Sequence, residues 1–150
     1  MLGSGIADCV LTGGLVANAF LAVIGADLGQ PNMELLKSHG YEGQAERAAS
    51  LAERFAEKIL VPSDLVVEVN GASRVVELNP AASGFTIAEL REALRSGAPN
   101  VQHPVYDIGP KTTSKYAQLV QEAKTVVANG PLGVFERAGY EHGTYGVLRA

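Results

Sequence analysis

Three short glycine-rich turns hold the residues of this sequence best suited to bind a ligand. They are Thr-Gly-Gly at residues 12–14, Asp-Ile-Gly-Pro at 107–110 and Asn-Gly-Pro-Leu-Gly at 129–133, each after a predicted strand. Glycine lets a ligand approach the main chain, and exposed backbone N–H groups can bind an anion. Ligands of parallel α/β sheets bind beyond the carboxyl ends of the strands. Three such turns at one sheet edge therefore predict a nucleotide or phosphate site, with turns that merely connect elements as the alternative.

Other kinds of site have little support in the sequence. It contains neither the G-x-x-x-x-G-K-[ST] loop nor the G-x-G-x-x-G fingerprint, and it lacks the G-x-S-x-G motif of serine hydrolases. His39, His103 and His142 are far apart and do not have metal-ligand spacing. Cys9 lies in an apolar run, where we expect it to be buried, and a single cysteine cannot form an internal disulfide. We therefore predict no metal site and no nucleophile.

The composition is that of one compact domain covering residues 1–150. Hydrophobic residues make up 47% of the chain, enough to form a core. The net charge of −4 argues against nucleic acid and anionic membranes as partners, because both are bound through clustered Lys and Arg. No apolar run approaches the ~20 residues that cross a bilayer. These features predict a soluble, cytoplasmic protein.

Apolar periodicity predicts alternating strands and helices. Predicted helices cover residues 15–24, 44–60 and 86–95, with a fourth starting at Thr112 or Thr113, and predicted strands cover 8–12, 65–69, 75–78, 101–107 and 125–128. Residues 29–43 are predicted to be a connection with one helical turn. Thr86 and Glu89 have the spacing of a capping box, and Asn70-Gly71 predicts a small β-hairpin. The alternation predicts a three-layer α/β fold, Rossmann-like, with a mostly parallel sheet flanked by helices.

The turn at residues 129–133 and its surroundings resemble a known family. Residues 123–136, Ala-Lys-Thr-Val-Val-Ala-Asn-Gly-Pro-Leu-Gly-Val-Phe-Glu, followed by Gly143 and Thr144, are similar to the segment of phosphoglycerate kinases that enters the nucleotide site. Residues 107–112 resemble the D-x-G-P turn of that family, and residues 11–21 resemble its Gly-Gly turn and apolar helix. The three segments occur in the family's order across nearly the whole chain. Ala128, where many relatives carry Trp, and the predicted hairpin are more similar to archaeal members.

The resemblance implies a kinase of glycolysis and gluconeogenesis that transfers a phosphoryl group between 1,3-bisphosphoglycerate and ADP, with Mg²⁺ on the nucleotide. It implies that the turn at 12–14 contacts adenine, that a carboxylate accepts hydrogen bonds from the ribose hydroxyls, and that the turn at 129–130 faces the phosphates. The nucleotide-binding residues implied in this way are Gly13, Gly14, Asn32, Tyr106, Asn129, Gly130, Pro131, Val134 and Glu136. Asn32 and Tyr106 are polar where the family has apolar residues, so these two positions depart from its pattern.

Several parts of the family have no counterpart in this sequence. They are the substrate domain, the G-G-A-K strand with its active-site lysines, and the C-terminal G-G-G turn whose following acidic residue serves phosphate and metal. The sequence therefore predicts a fragment of the nucleotide-binding domain, incomplete relative to its parent. We expect it to bind Mg-ADP or Mg-ATP weakly at most, to hold no metal ligand and not to turn over. Sheet edges left open are expected to favour a homodimer or a domain-swapped oligomer. A non-catalytic nucleotide-binding or structural α/β module is the alternative function.

Overall fold

The computed structural model describes residues 2–78, 86–97 and 100–150. The helices within these ranges are α1 (Gly14–Val23), α2 (Gly29–Ser38), α3 (Ala45–Arg54), α4 (Ile87–Leu94), α5 (Pro110–Glu122) and α6 (His142–Leu148), with short 3-10 helices at Leu2–Ser4 and Tyr41–Gln44. The strands are β1 (Val10–Leu11), β2 (Ile59–Leu60), β3 (Asp64–Val69), β4 (Ala72–Glu77) and β5 (Val105–Ile108). No helix in the described ranges is long and apolar enough to cross a membrane.

The strands form two small sheets. β1 and β2 pair in parallel, and β3 lies between β4 and β5. The α/β class is confirmed, but among the described residues parallel pairing is found only in the two-stranded sheet and at an isolated bridge between Asp27 and Asn100, because β3 is antiparallel to both of its neighbours. The hairpin predicted around Asn70 and Gly71 is confirmed as the β3–β4 pair, and both turn residues have positive φ, 52° and 78°.

The helices and strands share a main apolar core and a smaller second one. The main core is formed by residues of α1, α3, α4, β2, β3 and β5 and of the loops that join them. The smaller cluster contains Leu60, Ile108, Tyr116 and Val147. At its centre the Tyr116 hydroxyl donates to the carbonyl oxygens of Thr12, at 3.0 Å, and Leu60, at 3.1 Å. Burial is the main cause that raises the pKa of Tyr116. This contact fixes α5 beneath the ends of β1 and β2.

In the first half of the chain, two elements of the structure differ from the prediction. Residues 29–38 form a full helix rather than a connection, because Pro31 falls in the first turn, where its missing N–H breaks no helical hydrogen bond. The helix predicted over 44–60 ends at Arg54. Ile59 and Leu60 leave the helical pattern to pair with β1, and their burial in the sheet outweighs the helical periodicity that precedes them.

Three further predictions were incomplete or wrong. Residues 125–128 pair with no strand in the described ranges, and residues 121–130 are all exposed. Cys9 is exposed, because it precedes the two-residue β1 rather than lying within a longer buried strand. The α6 helix was not predicted, since Gly143 and Gly146 are poor helix formers.

The capping box is confirmed: Glu89 N–H donates to Thr86 Oγ1 at 3.2 Å, and Thr86 N–H donates to Glu89 Oε2 at 2.9 Å.

Candidate nucleotide site

The first and third glycine turns lie against each other. Gly14 N–H, at the start of α1, donates to the Leu132 carbonyl oxygen at 2.8 Å. A Cβ atom on Gly13 would lie 2.8 Å from both Cα and the carbonyl oxygen of Leu132. The backbone of Gly13 is extended, with φ −145°, so its lack of a side chain is required by this close approach and not by its dihedral angles. The structure thus brings the first predicted turn against the third.

The third turn continues along the end of β5. Val134 N–H donates to the Tyr106 carbonyl oxygen at 2.7 Å, and Gly133 lies directly against Asp107, where a Cβ atom would overlap the carboxylate. Arg137 N–H donates to the Val134 carbonyl oxygen at 3.0 Å, which closes a turn containing Glu136. Gly13, Tyr106 and the turn around Glu136 are therefore attached to one short segment, residues 132–137.

Asp107 anchors this segment from below. Asp107 is 2% exposed, and its carboxylate accepts hydrogen bonds from the Ile108 N–H at 2.9 Å and from the Gly143 N–H, at the start of α6, at 2.7 Å. Burial raises the pKa of Asp107, and the two backbone donors act against that rise. Thr144 completes the connection, because its hydroxyl accepts the Leu132 N–H at 3.0 Å. The D-x-G-P turn therefore contributes Asp107 as a packing residue.

The second glycine turn begins α5 and is already occupied by a carboxylate of the chain itself. Asp64 is 1% exposed and accepts from Lys111 N–H at 2.9 Å, from Thr112 N–H at 2.8 Å and from the Thr112 hydroxyl at 2.6 Å. Gly109 packs so closely on this carboxylate that no side chain fits between them. A negatively charged group at a helix N-terminus is favourable. Since Asp64 fills this position, the turn at residues 107–110 is not an open anion site.

Hydrogen-bond donors without a partner among the described residues lie at the first and third turns. Among the described residues, Asn129 and Gly130 make no hydrogen bond, and both are exposed. The N–H groups of Leu15 and Val16 lie in the first turn of α1, where a helix offers no internal acceptor. Pro131, Val134 and Glu136 are also exposed. The exposed groups of residues 129–136 follow one another along the chain, and the start of α1 joins this stretch through the Gly14–Leu132 hydrogen bond.

Asn32 and Tyr106 have contacts within the protein. Asn32 is 1% exposed; its amide donates to the carbonyl oxygens of Leu28, at 2.7 Å, and His103, at 2.9 Å, and its oxygen accepts the Val105 N–H at 2.8 Å. The bond from Val105 ties α2 to β5, the bond to His103 ties α2 to the segment before β5, and the bond to Leu28 lies at the start of α2 itself. The Tyr106 ring meets the Tyr140 ring edge to face, with centroids 5.1 Å apart. A contact with adenine would therefore compete with the three hydrogen bonds of Asn32 and with the ring contact of Tyr106.

Sequence reasoning missed Asp64, which fills the second turn, and Arg137; it included Leu132 and Thr144 in the family-like segment but gave neither of them a role. For Asp64 a signal existed: a carboxylate directly precedes the apolar run Leu-Val-Val, where a buried strand begins.

Among the described residues, no three His, Cys, Asp or Glu side chains lie close enough together to bind a metal ion. A separate groove of about 370 Å³ between α1, α2 and the Tyr41–Gln44 helix contains none of the predicted site residues.

Comparison with known proteins identifies the family. The model of the family described as phosphoglycerate kinase matches residues 2–150. The phosphoglycerate kinase of Methanothermobacter thermautotrophicus is 40% identical over 150 residues, which are 100% of this chain and 32% of that protein. That of Pyrococcus abyssi is 36% identical over 150 residues, 100% of this chain and 33% of that protein. Both relatives are archaeal, as the sequence indicated.

The fold agrees with that result. The crystal structure of phosphoglycerate kinase from Pyrococcus horikoshii OT3 superposes with a TM-score of 0.81 at 34% identity, covering 99% of this chain and 33% of the other. The enzyme from Coxiella burnetii gives a TM-score of 0.65 at 25% identity, with 95% and 32% covered. This chain spans about a third of the length of the relatives it matches. Because sequence and fold agree over nearly every residue, the chain belongs to the phosphoglycerate kinase family.

Proposed function

We propose that this chain is the nucleotide-binding part of a cytoplasmic phosphoglycerate kinase, which transfers a phosphoryl group between 1,3-bisphosphoglycerate and ADP. The observation that supports this most directly is the segment 132–137, which is hydrogen-bonded to the start of α1 at one end and to β5 at the other. It continues from the third turn, whose Gly130 N–H makes no hydrogen bond with any described residue, and packs against the first turn, an arrangement suited to an extended ligand with a base, a sugar and phosphates. In the whole enzyme this chemistry belongs to glycolysis and gluconeogenesis.

Each part of the nucleotide has a chemically suitable partner. Glu136 is exposed and can accept hydrogen bonds from both hydroxyls of a vicinal diol, as found in ribose. The Asn129 side chain and the Gly130 N–H can meet phosphate oxygens, since backbone donors in a glycine turn favour anions. Gly14, Pro131 and Val134 can contact the base and sugar. Leu132 covers the side of Gly13 from which a side chain would project, so Gly13 would contact adenine only through its opposite face.

We expect this chain to bind ADP weakly and to transfer no phosphoryl group. Phosphoryl transfer depends on positioning and on cationic groups that stabilise the transferring phosphate. None of the nine predicted nucleotide contacts is Lys or Arg, and a bound nucleotide would bring Mg²⁺ on its own phosphates. Calorimetry with ADP, followed by a coupled assay with both substrates, separates the alternatives. Absence of ADP binding would favour a structural module, and measurable turnover would contradict the proposed dependence on the missing parts.

Glu136→Ala is expected to weaken ADP binding on the order of 10-fold. The substitution removes an exposed carboxylate from two hydrogen bonds to ribose, and a factor of ten corresponds to about 1.4 kcal/mol. Isothermal titration calorimetry measures the change. Glu53→Ala, at an exposed position on α3, is the matched control and should leave the affinity unchanged. Equal affinity of Glu136→Ala and the unmodified chain would refute the ribose assignment.

We also propose that two copies of the chain associate through the unpaired segment 125–128 and the free edge of β1. Val126 and Val127 are 54% and 76% exposed, and Val10 on β1 is 37% exposed. β1 pairs only with β2 among the described residues, so its other edge offers open main-chain groups. A second copy could pair its own residues 125–128 there, which would bury these valines.

Val127→Lys is expected to shift the chain from dimer to monomer, because a charged side chain at this edge opposes strand pairing. Sedimentation velocity across a concentration series measures the shift. The matched control is Val75→Lys on β4, where Val75 is 53% exposed but lies in the other sheet. A monomeric unmodified chain at all concentrations, or an equal shift in both variants, would contradict the proposed interface.

A further inference from the structure

The Arg137 side chain contacts two aromatic rings, which also contact each other, and Arg137 is next in sequence to the proposed ribose contact, Glu136. Its guanidinium carbon is 4.5 Å from the ring centroid of Tyr106 on β5 and 5.4 Å from that of Tyr140. The same guanidinium forms an ion pair with Glu68 on β3. Such cation–π contacts are attractive, and the planar guanidinium suits stacking better than an ammonium group does. Arg137 thus links the loop to two strands of the three-stranded sheet.

The main chain of the same loop makes one hydrogen bond to β5 and two within the loop itself. Val134 N–H donates to the Tyr106 carbonyl at 2.7 Å, Arg137 N–H to the Val134 carbonyl at 3.0 Å, and Tyr140 N–H to the Arg137 carbonyl at 3.1 Å. Side chain and main chain therefore hold residues 134–140 on β5 together. Tyr140 is 4% exposed, so one side of this support is part of the packed interior.

Glu136 lies in this loop but takes no part in its support. It is exposed, and its carboxylate makes no hydrogen bond or ion pair with any described residue. Arg137 is its immediate neighbour, yet the guanidinium is directed to Glu68 and the two tyrosines instead. The carboxylate consequently keeps its full capacity to accept hydrogen bonds from a ligand, while the backbone that carries it is held in place.

We propose that Arg137 is a positioning residue for nucleotide binding: by fixing the loop 134–140 on Tyr106, Tyr140 and Glu68, it presents Glu136 to the ribose hydroxyls. This role rests on the proposed function. A carboxylate on a fixed loop binds with less loss of conformational entropy than one on a loop that must become ordered. Arg137 therefore acts through Glu136 and does not contact the nucleotide itself.

Arg137→Met tests this role with two ligands. The variant keeps an apolar stem but loses the charge and the planar group, and we expect ADP affinity to fall about 5-fold, or ~1 kcal/mol. Affinity for 2′,3′-dideoxy-ADP should be unchanged, since that ligand has no hydroxyls for Glu136. Arg137→Lys keeps the ion pair but stacks less well, so its affinity for ADP should lie between those of the unmodified chain and Arg137→Met. Equal losses for both ligands would overturn the proposal, because Arg137 would then not act through the ribose.

A second measurement needs no ligand. Amide hydrogen exchange of Val134, Arg137 and Tyr140 should become faster in Arg137→Met, and unchanged exchange would overturn the loop-fixing role. Arg54→Met is the matched control, because Arg54 also stacks on a ring, that of Phe55 at 5.2 Å, far along the chain from this loop. It should change neither ADP affinity nor exchange at residues 134–140.

The outcomes separate this proposal from the function on which it rests. If Glu136→Ala weakens ADP binding and Arg137→Met does not, the positioning role alone is wrong. If neither variant changes the affinity for ADP, the ribose assignment is wrong as well. An unmodified chain that binds neither ADP nor the dideoxy ligand would refute the nucleotide site and this role together.

Discussion

Asp64→Ala is expected to lower the free energy of unfolding by about 3 kcal/mol, because it leaves buried donors at the start of α5 without an acceptor. The Asp64 carboxylate accepts the N–H groups of Lys111 and Thr112 and the Thr112 hydroxyl. All of the carboxylate lies within the fold, with Gly109 packed against it. Removing it abolishes charge-assisted hydrogen bonds, weakens the N-terminus of α5 and opens a cavity.

Urea denaturation followed by circular dichroism measures this loss. Asp64→Asn keeps the volume and one acceptor oxygen but turns an amide donor towards backbone donors, so it should be destabilising but less so than alanine. Asp8→Ala, at an exposed position, should change the stability little. An unfolding free energy for Asp64→Ala within about 0.5 kcal/mol of the unmodified chain would contradict the assigned role.

Gly13→Ala is expected to destabilise the chain by about 1–3 kcal/mol and to reduce ADP affinity more than about 10-fold. The added methyl group would lie 2.7 Å from Leu132 Cδ2 and 2.8 Å from the Leu132 main chain, and backbone atoms cannot move aside as a flexible side chain can. Relief of this overlap requires the turn at 130–133 to separate from α1. That separation would break the Gly14–Leu132 hydrogen bond and disperse the groups proposed to contact the nucleotide.

Gly43→Ala provides a matched comparison for this substitution. Gly43 has no atom within 4 Å of an added Cβ and no positive φ, so alanine fits there without strain. Binding should be measured at a temperature where each variant is folded by circular dichroism, so that lost affinity is not mistaken for unfolding. If Gly13→Ala matches Gly43→Ala in both stability and ADP affinity, the contact between the first and third turns contributes to neither the stability nor the affinity.

The sequence was sufficient to predict the elements whose signals are local. The Asn70–Gly71 hairpin follows from two residues that tolerate positive φ between apolar runs, and the Thr86 capping box follows from side chains three positions apart. The family resemblance was equally accessible, because it depends on consecutive residues in three segments. It also indicated that these segments meet at one site.

Prediction failed where the state of a residue depends on distant neighbours. Ile59 and Leu60 continue a helical pattern in sequence, but they become a strand because β1 is available to pair with them. Residues 125–128 have strand-forming side chains, yet no described strand lies beside them to accept main-chain hydrogen bonds. The direction of β5 relative to β3 also depends on residues far apart in the chain, so the sequence did not predict that these strands pair antiparallel.

By itself the sequence determined the α/β class, the family and the glycine turns, because backbone freedom and short-range motifs are properties of neighbouring residues. The tertiary structure alone decided how those turns are used. Asp64, 45 positions before Gly109, fills the second turn with the chain's own carboxylate, whereas Leu132 joins the first turn to the third. Burial and hydrogen bonding between residues far apart in the chain decide which donors are satisfied internally, and therefore which remain for a ligand.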